Sequence, residues 1–282
     1  MNKKNFKIYL LLFFLTGLVS CIYDREFDEP LKVCFVRSSN IWIMDMDGGN
    51  QEQLTFSGLD SRPSWSPDGM KIVFQSSRDG NDEIFTMDYD GSNIKQLTYT
   101  AGADYSSYPT WLPDGENIIF RGNRSGSAYV FIISDSGDVI KQFPDGSLSP
   151  LKPTCSPDGK FAIFIVGPGY LSRMDTSTGV FTNITSTVFN GGHSWSPDKG
   201  TICFSYGTSD LNIGDPMGYD SYSTIATGSF YDPCWTANGK RIIFSTAATT
   251  GNISSMTPDG LDIQVLTSTG LDSQPCVQGK PR

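Results

Sequence analysis

Short runs of β-forming residues alternate with turn residues along the chain, and one such unit recurs. In RPSWSPDGMKIVF (62–74), Trp65 precedes a Pro-Asp-Gly turn, and an apolar run follows from Ile72 to Phe74. Proline presets φ at the first central position of a turn and glycine accepts a positive φ, so this unit predicts a β-hairpin. Similar units occupy 109–120, 153–164, 193–204 and 233–244, and a partial one starts at 275.

A second strand-turn-strand unit lies between these copies. It is clearest in NIWIMDMDGGNQEQLT (40–55) and DEIFTMDYDGSNIKQLT (82–98). Looser matches lie at 127–143, 169–185, 211–226 and 251–267. Each period therefore holds four short strands, and the first units start 40 to 46 residues apart. Four strands repeated at this spacing are typical of a propeller blade. The predicted fold is all-β, a six-bladed β-propeller with four-stranded blades.

The two ends of the chain complete each other in this scheme. The unit starting at Pro275 supplies a first strand, and 32–55 supplies three strands that lack a first. We expect the ring to be closed by strands from both termini, which removes open sheet edges. Cys276 and Cys34 then lie on paired strands, and a suitable register makes them a candidate disulfide.

Tryptophan recurs before the turn in four of the units, at positions 65, 111, 195 and 235. Large aromatic side chains at equivalent places in successive blades are expected to fill the wedge between blades. We therefore expect these tryptophans to belong to the core and not to a ligand site.

The first twenty residues have the features of an export signal. Three lysines precede an apolar run from Ile8 to Leu15 that is too short to span a membrane. Leu18-Val19-Ser20-Cys21 resembles the lipobox of bacterial lipoproteins, which implies cleavage before Cys21 and lipidation of that cysteine. The expected organisation is a signal peptide at 1–20, a tether at 21–30 and the propeller at 31–282. The residue after the cysteine is Ile22 and not aspartate, and in this the chain resembles lipoproteins that are sorted to the outer membrane.

Charge narrows the class of partner. The formal net charge is −9, and loss of the three lysines of the signal takes it to −12. Because affinity for nucleic acid depends on lysine and arginine neutralising phosphates, we expect no nucleic-acid binding. An acidic surface also gives no attraction to anionic lipid, so we expect membrane contact through the lipid anchor only.

The residues needed for common catalytic sites are scarce. The chain has one histidine, His193, its cysteines include no CxxC pair, and no GxSxG occurs. The acidic segments at 45–50 and 88–93 are better explained as tight hairpin turns than as calcium loops. We therefore expect no enzyme activity, no cofactor and no metal site. His193 replaces a proline of the repeat, and we expect a partly exposed side chain at the start of an inner strand.

The segment SRDGNDEIFTMDYDGSNIKQLT together with PSWSPDG resembles the TolB-type propeller repeat, over about residues 31–282. The resemblance implies a binding protein of the cell envelope, periplasmic or surface-exposed. The partner expected from it is an envelope protein, such as a peptidoglycan-associated lipoprotein. A glycan or peptide at the channel is the alternative.

In propellers, the loops that lead from an outer strand to the next inner strand surround one mouth of the central channel. Here those loops carry mixed charges and tyrosines, which suits a protein or sugar contact better than a lipid. The predicted partner-binding residues at the channel mouth are Arg62, Tyr105, Tyr108, Lys152, Tyr231 and Asp232. The same loops also carry Asp60 and Asp272.

Overall fold

A computed structural model describes residues 31–144, 150–167, 169–186, 191–198, 200–206 and 210–279. The predicted signal peptide, the lipidated Cys21 and the tether lie outside the described residues. The described residues contain no helix long and apolar enough to cross a bilayer.

The described strands form six antiparallel sheets of four strands each, as the repeat predicts. Blade 1 is β24 (Asp272–Val277), β1 (Lys32–Arg37), β2 (Asn40–Asp45) and β3 (Glu52–Gln53). Blade 2 is β4 (Asp60–Trp65), β5 (Lys71–Ser76), β6 (Glu83–Asp88) and β7 (Lys95–Gln96). Blade 3 is β8 (Tyr105–Trp111), β9 (Asn117–Arg124), β10 (Ser127–Ser134) and β11 (Val139–Pro144).

The remaining three blades repeat this order. Blade 4 is β12 (Leu151–Cys155), β13 (Phe161–Val166), β14 (Tyr170–Asp175) and β15 (Phe181–Asn183). Blade 5 is β16 (His193–Trp195), β17 (Ile202–Tyr206), β18 (Asp210–Gly214) and β19 (Tyr222–Ala226). Blade 6 is β20 (Tyr231–Trp235), β21 (Ile242–Ser245), β22 (Ile253–Met256) and β23 (Gln264–Val265).

Blade 1 closes the ring with strands from both ends of the chain, which confirms the predicted closure. β24 pairs with β1, and Cys276 lies directly opposite Cys34 in this pairing. Directly opposed residues of an antiparallel pair point to the same face, so the register suits the predicted disulfide. Both cysteines are free here, so the disulfide stays a prediction.

One phenylalanine from the second strand of every blade is fully buried. The six are Phe35, Phe74, Phe120, Phe164, Phe204 and Phe244. The four repeat tryptophans pack against the preceding blade, as expected. Trp65 shares one apolar cluster with Cys34 and Ile41 of blade 1, and Trp111 shares another with Val73 of blade 2. These clusters hold neighbouring blades together by apolar burial.

Strand direction gives the ring two distinct rims. The first strand of each blade begins at one rim, which also carries the loops from each outer strand to the next inner strand. We call this side the mouth rim. The hairpin turns that link the first to the second strand and the third to the fourth lie at the opposite rim, where Tyr89 and Tyr219 are exposed.

Candidate functional site

The first strands of all six blades surround a central channel with a cavity of about 390 Å³. One residue from each blade stands at the mouth end of its wall, immediately before the proline or histidine of the repeat. We call this set the collar. Its members are Arg62, Tyr108, Lys152, Gly192, Asp232 and Gln274.

Five of the six collar residues have a left-handed backbone although none of the five is glycine. Their φ values lie between 45° and 57°. Only Gly192 departs from this conformation. Strand pairing shifts register beside these five residues, so each lies in a bulge that redirects its side chain. A left-handed conformation costs an L-residue roughly 1–3 kcal/mol, and such strain gathers at functional sites.

One half of the collar is held by contacts between blades 1, 2 and 3. The guanidinium of Arg62 lies 3.8 Å from the centre of the Tyr108 ring. The side-chain oxygen of Gln274 accepts a hydrogen bond of 2.7 Å from the backbone N–H of Arg62. The strained backbone therefore has a partner, and Arg62 covers one face of the tyrosine.

The other half of the collar contains an ion pair that passes over a whole blade. Lys152 Nζ of blade 4 lies 2.8 Å from Asp232 Oδ1 of blade 6, and both side chains are largely buried. Gly192 of blade 5 lies beneath this bridge. A Cβ at position 192 would lie 2.6 Å from the Cα of Asp232, so only glycine fits there.

His193 lies in the channel wall next to this bridge. Its position at the start of an inner strand is confirmed, but the expected partial exposure is wrong, since only 4% of the residue is exposed. Nε2 lies 3.0 Å from the carbonyl oxygen of Ile163. A carbonyl oxygen only accepts, so Nε2 carries the proton and donates. Burial lowers the pKa of His193 to about 4, and the ring is neutral at physiological pH.

The loops of the mouth rim carry exposed apolar side chains on one side of the ring. Phe56 is 79% exposed and Tyr99 is 78% exposed. Leu59 and Leu271 are also exposed. These residues come from the three consecutive loops that precede the first strands of blades 1, 2 and 3. They therefore share a side of the rim with Gln274, Arg62 and Tyr108.

The structure brings four of the six predicted mouth residues together in the channel wall. They are Arg62, Tyr108, Lys152 and Asp232. Tyr105 and Tyr231 are half-buried and lie outside the cavity lining, at the first positions of β8 and β20. Tyr105 packs under the guanidinium of Arg121, which lies 5.2 Å from its ring centre.

Two acidic residues expected at the mouth are instead structural. Asp60 and Asp272 are fully buried and pair with Arg78 and Arg37 of their own blades. Burial alone would raise the pKa of Asp60, but hydrogen bonds from Arg78 and Ser76 outweigh it, and the pKa lies below its ordinary value. The two ion pairs occupy equivalent positions in blades 2 and 1. They therefore stabilise their blades, and the two carboxylates are not available to a partner.

The sequence did not predict every member of the collar. Gln274 was not singled out, although its place before Pro275 matches that of Arg62 before Pro63. Alignment of the repeats would have found it. Within the described ranges, no group of three or more histidine, cysteine, aspartate or glutamate side chains is arranged to hold a metal.

Comparison with known proteins gives the same architecture. The crystal structure of TolB from Acinetobacter baumannii superposes with a TM-score of 0.77 at 21% identity, covering 89% of this chain and 67% of that chain. A protein assigned as TolB from Agrobacterium tumefaciens has a TM-score of 0.67 at 17% identity, covering 87% of this chain and 91% of that one. An oligogalacturonate lyase in complex with manganese has a TM-score of 0.54 at 17% identity, covering 86% and 73%.

These likenesses establish the fold. No curated protein matches the sequence. The family model described as the TolB beta propeller domain matches residues 33–213, well over half of the chain. The chain therefore belongs to the TolB beta propeller domain family.

Proposed function

We propose that this propeller is a non-catalytic binding module of the cell envelope that holds a partner protein at its channel mouth. Family membership favours protein–protein interaction in the envelope in general. The observation that carries the proposal is the collar, where five non-glycine residues adopt a left-handed backbone at one level of the channel. Selection for stability alone would favour glycine at such positions.

The apolar side of the mouth rim supports a protein as the partner. Interfaces between proteins combine aromatic and arginine side chains with an apolar centre. Phe56, Tyr99 and Leu59 supply exposed apolar area, and the stacked Arg62 and Tyr108 lie on the same side. Arg62 already covers one face of Tyr108. A sugar ring could therefore stack on one face of this tyrosine only, which favours a protein over a sugar as the partner.

Lipid anchoring completes the proposal. The lipobox-like segment ending at Cys21 supports attachment to a membrane by acyl chains, with the outer membrane favoured by Ile22. A tether of about ten residues would then hold the propeller near the bilayer surface. The proposed partner is another envelope protein, such as a peptidoglycan-associated lipoprotein.

Crosslinked capture from intact cells tests this function. The full lipoprotein and a variant with Arg62, Tyr105 and Tyr108 changed to alanine would be captured in parallel, and bound proteins identified by mass spectrometry. Tyr219→Ala on the opposite rim is the matched control. We expect one envelope protein to be captured by the natural chain and by the control, and to be lost with the altered mouth. Capture that does not depend on the mouth residues would overturn the proposal.

A further inference from the structure

Arg62 places an unpaired positive charge at the mouth of the channel. Its side chain is half-buried, lines the cavity and lies over the ring of Tyr108. Within the part of the chain that the structure describes, its guanidinium donates no hydrogen bond and forms no ion pair. Arg37 and Arg78, in contrast, each pair with an aspartate of their own blade. The guanidinium of Arg62 is therefore available to a ligand.

The charges that line the channel do not cancel. Lys152 and Asp232 form an ion pair with each other, and burial keeps His193 neutral. Arg62 then leaves one net positive charge in the wall, although the whole chain has a formal net charge of −9. One positive charge matches one carboxylate. A phosphate group carries about 1.5 to 2 negative charges, which a single arginine does not neutralise.

Tyr108 and Gln274 hold this arginine in place before a ligand binds. The ring of Tyr108 covers one face of the guanidinium at 3.8 Å and leaves the N–H groups at its edge free to donate. Gln274 accepts a hydrogen bond from the backbone N–H of Arg62 through its side-chain oxygen, while its amide nitrogen donates to none of the described residues. Such donors suit a carboxylate, which accepts two parallel hydrogen bonds from one guanidinium.

A partner protein that covers the mouth would take the charge of Arg62 out of water. A charge buried without a counter-ion strongly destabilises a complex, so the partner has to supply the counter-ion. We propose that the partner presents one carboxylate to the guanidinium of Arg62, with the amide of Gln274 as a second donor. This inference rests on the function proposed above and adds the chemical group that is recognised. The carboxylate belongs either to an aspartate or glutamate side chain of the partner or to its C-terminus.

Three short peptides test this recognition on the purified propeller. Acetylated and amidated Gly-Asp-Gly carries one side-chain carboxylate, acetylated Gly-Asn-Gly with a free C-terminus carries a terminal one, and acetylated and amidated Gly-Asn-Gly carries none. Each would be titrated while the arginine Nε–H signals are followed by ¹⁵N NMR, and the Arg62 signal is the one missing from Arg62→Gln. We expect a saturable shift of this signal with one of the charged peptides and none with the neutral peptide. The Arg78 signal should stay in place, because Arg78 is already paired with Asp60.

The peptide results decide the source of the carboxylate as well as its role. The charged peptide that binds more tightly shows whether a side chain or a C-terminus is recognised. A shift of the Arg62 signal that is equal with the neutral peptide, or absent with both charged peptides, would overturn the proposal. Tighter binding of inorganic phosphate would refute a single carboxylate, and tighter binding of glucuronate would refute a protein as its source.

Two substitutions test the charge separately from the fold. Arg62→Gln removes the positive charge, whereas Gln274→Glu keeps an acceptor for the backbone N–H of Arg62 and places a competing carboxylate beside the guanidinium. We expect each variant to bind the charged peptide about tenfold more weakly or worse, the worth of a hydrogen bond between charged groups. Arg62→Lys should keep more of the affinity than Arg62→Gln. Amide spectra verify the fold, and unchanged affinity in Arg62→Gln would refute the proposal.

Capture from intact cells separates this inference from the proposed function. If Tyr108→Ala abolishes capture of the envelope protein and Arg62→Gln does not, the mouth is the binding site and the carboxylate contact is refuted. If Arg62→Gln also abolishes capture and Arg62→Lys restores part of it, the carboxylate contact is supported. If the charged peptide binds and no envelope protein is captured, the proposed function fails and the carboxylate site remains.

Discussion

Replacing His193 by leucine isolates the effect of one buried imidazole on stability. In the folded chain burial lowers the pKa of His193 to about 4, from 6.5 in a solvated histidine. Above pH 6.5 the ring is neutral in both states and adds no pH dependence. As the pH falls below 6.5 the unfolded chain binds a proton that the folded chain refuses, so stability is lost progressively down to the folded pKa. A shift of this size corresponds to about 3 kcal/mol.

Urea unfolding followed by tryptophan fluorescence, at pH 7 and below pH 4, measures this loss. The natural chain should lose about 3 kcal/mol more than His193→Leu over the same interval. Carboxylates titrate in both proteins, so their contribution cancels in the comparison. The hydrogen bond to Ile163 that the variant loses lowers its free energy of unfolding equally at both pH values, so it cancels as well. Equal losses in the two proteins would refute a neutral, buried His193 in the folded chain.

Three further substitutions or measurements test other parts of the structure. Arg78→Ala leaves the fully buried Asp60 carboxylate unpaired, and urea unfolding should show a loss of about 3–5 kcal/mol. Alkylation under denaturing, non-reducing conditions should leave Cys34 and Cys276 unmodified, because we predict that they form a disulfide worth about 4–5 kcal/mol. Glycine at position 108 should be more stable than alanine there by about 1 kcal/mol, because the backbone at Tyr108 is left-handed.

Each of these has a control on the same molecule. Lys71→Ala breaks an exposed ion pair with Asp135 and should cost less than about 1 kcal/mol; a cost equal to that of Arg78→Ala would contradict the burial argument. Reduction before alkylation should make Cys34 and Cys276 reactive, and reactivity without reduction would end the disulfide prediction. At Thr110, an ordinary strand position, the alanine variant should be more stable than the glycine variant. If alanine were also the more stable of the two at position 108, the strained backbone of the collar would be contradicted.

The repeat made most of the fold predictable from sequence. Apolar residues nine positions after each turn tryptophan mark the second strand, and the structure buries Phe74 and its equivalents completely. The turn residues Pro67-Asp68-Gly69 and their equivalents predicted the blade boundaries. The incomplete units at the two ends of the chain predicted how the ring closes. These features are local or repeated six times, so each copy supports the interpretation of the others.

The collar could not be predicted in the same way. Residues before proline favour an extended backbone. Arginine, tyrosine and lysine also have no preference for a left-handed backbone, so nothing in the sequence indicates one. Arg62, Tyr108 and Lys152 are nevertheless left-handed, because the bulge at the channel imposes that conformation. The bridge from Lys152 to Asp232 joins residues far apart in sequence and depends on Gly192 between them. Only the packing of blades 4, 5 and 6 around the channel brings these three together.

Site-specific photocrosslinking at the mouth rim shows directly whether a partner protein binds at the channel mouth. A benzophenone amino acid would replace Phe56, an exposed aromatic residue on the apolar side of the mouth rim, or Tyr219 on the opposite rim. After illumination of intact cells, we expect one envelope protein to be crosslinked from position 56 and not from position 219. Crosslinking of the same protein from both positions, or from position 219 only, would contradict the assignment of the channel mouth as the binding site.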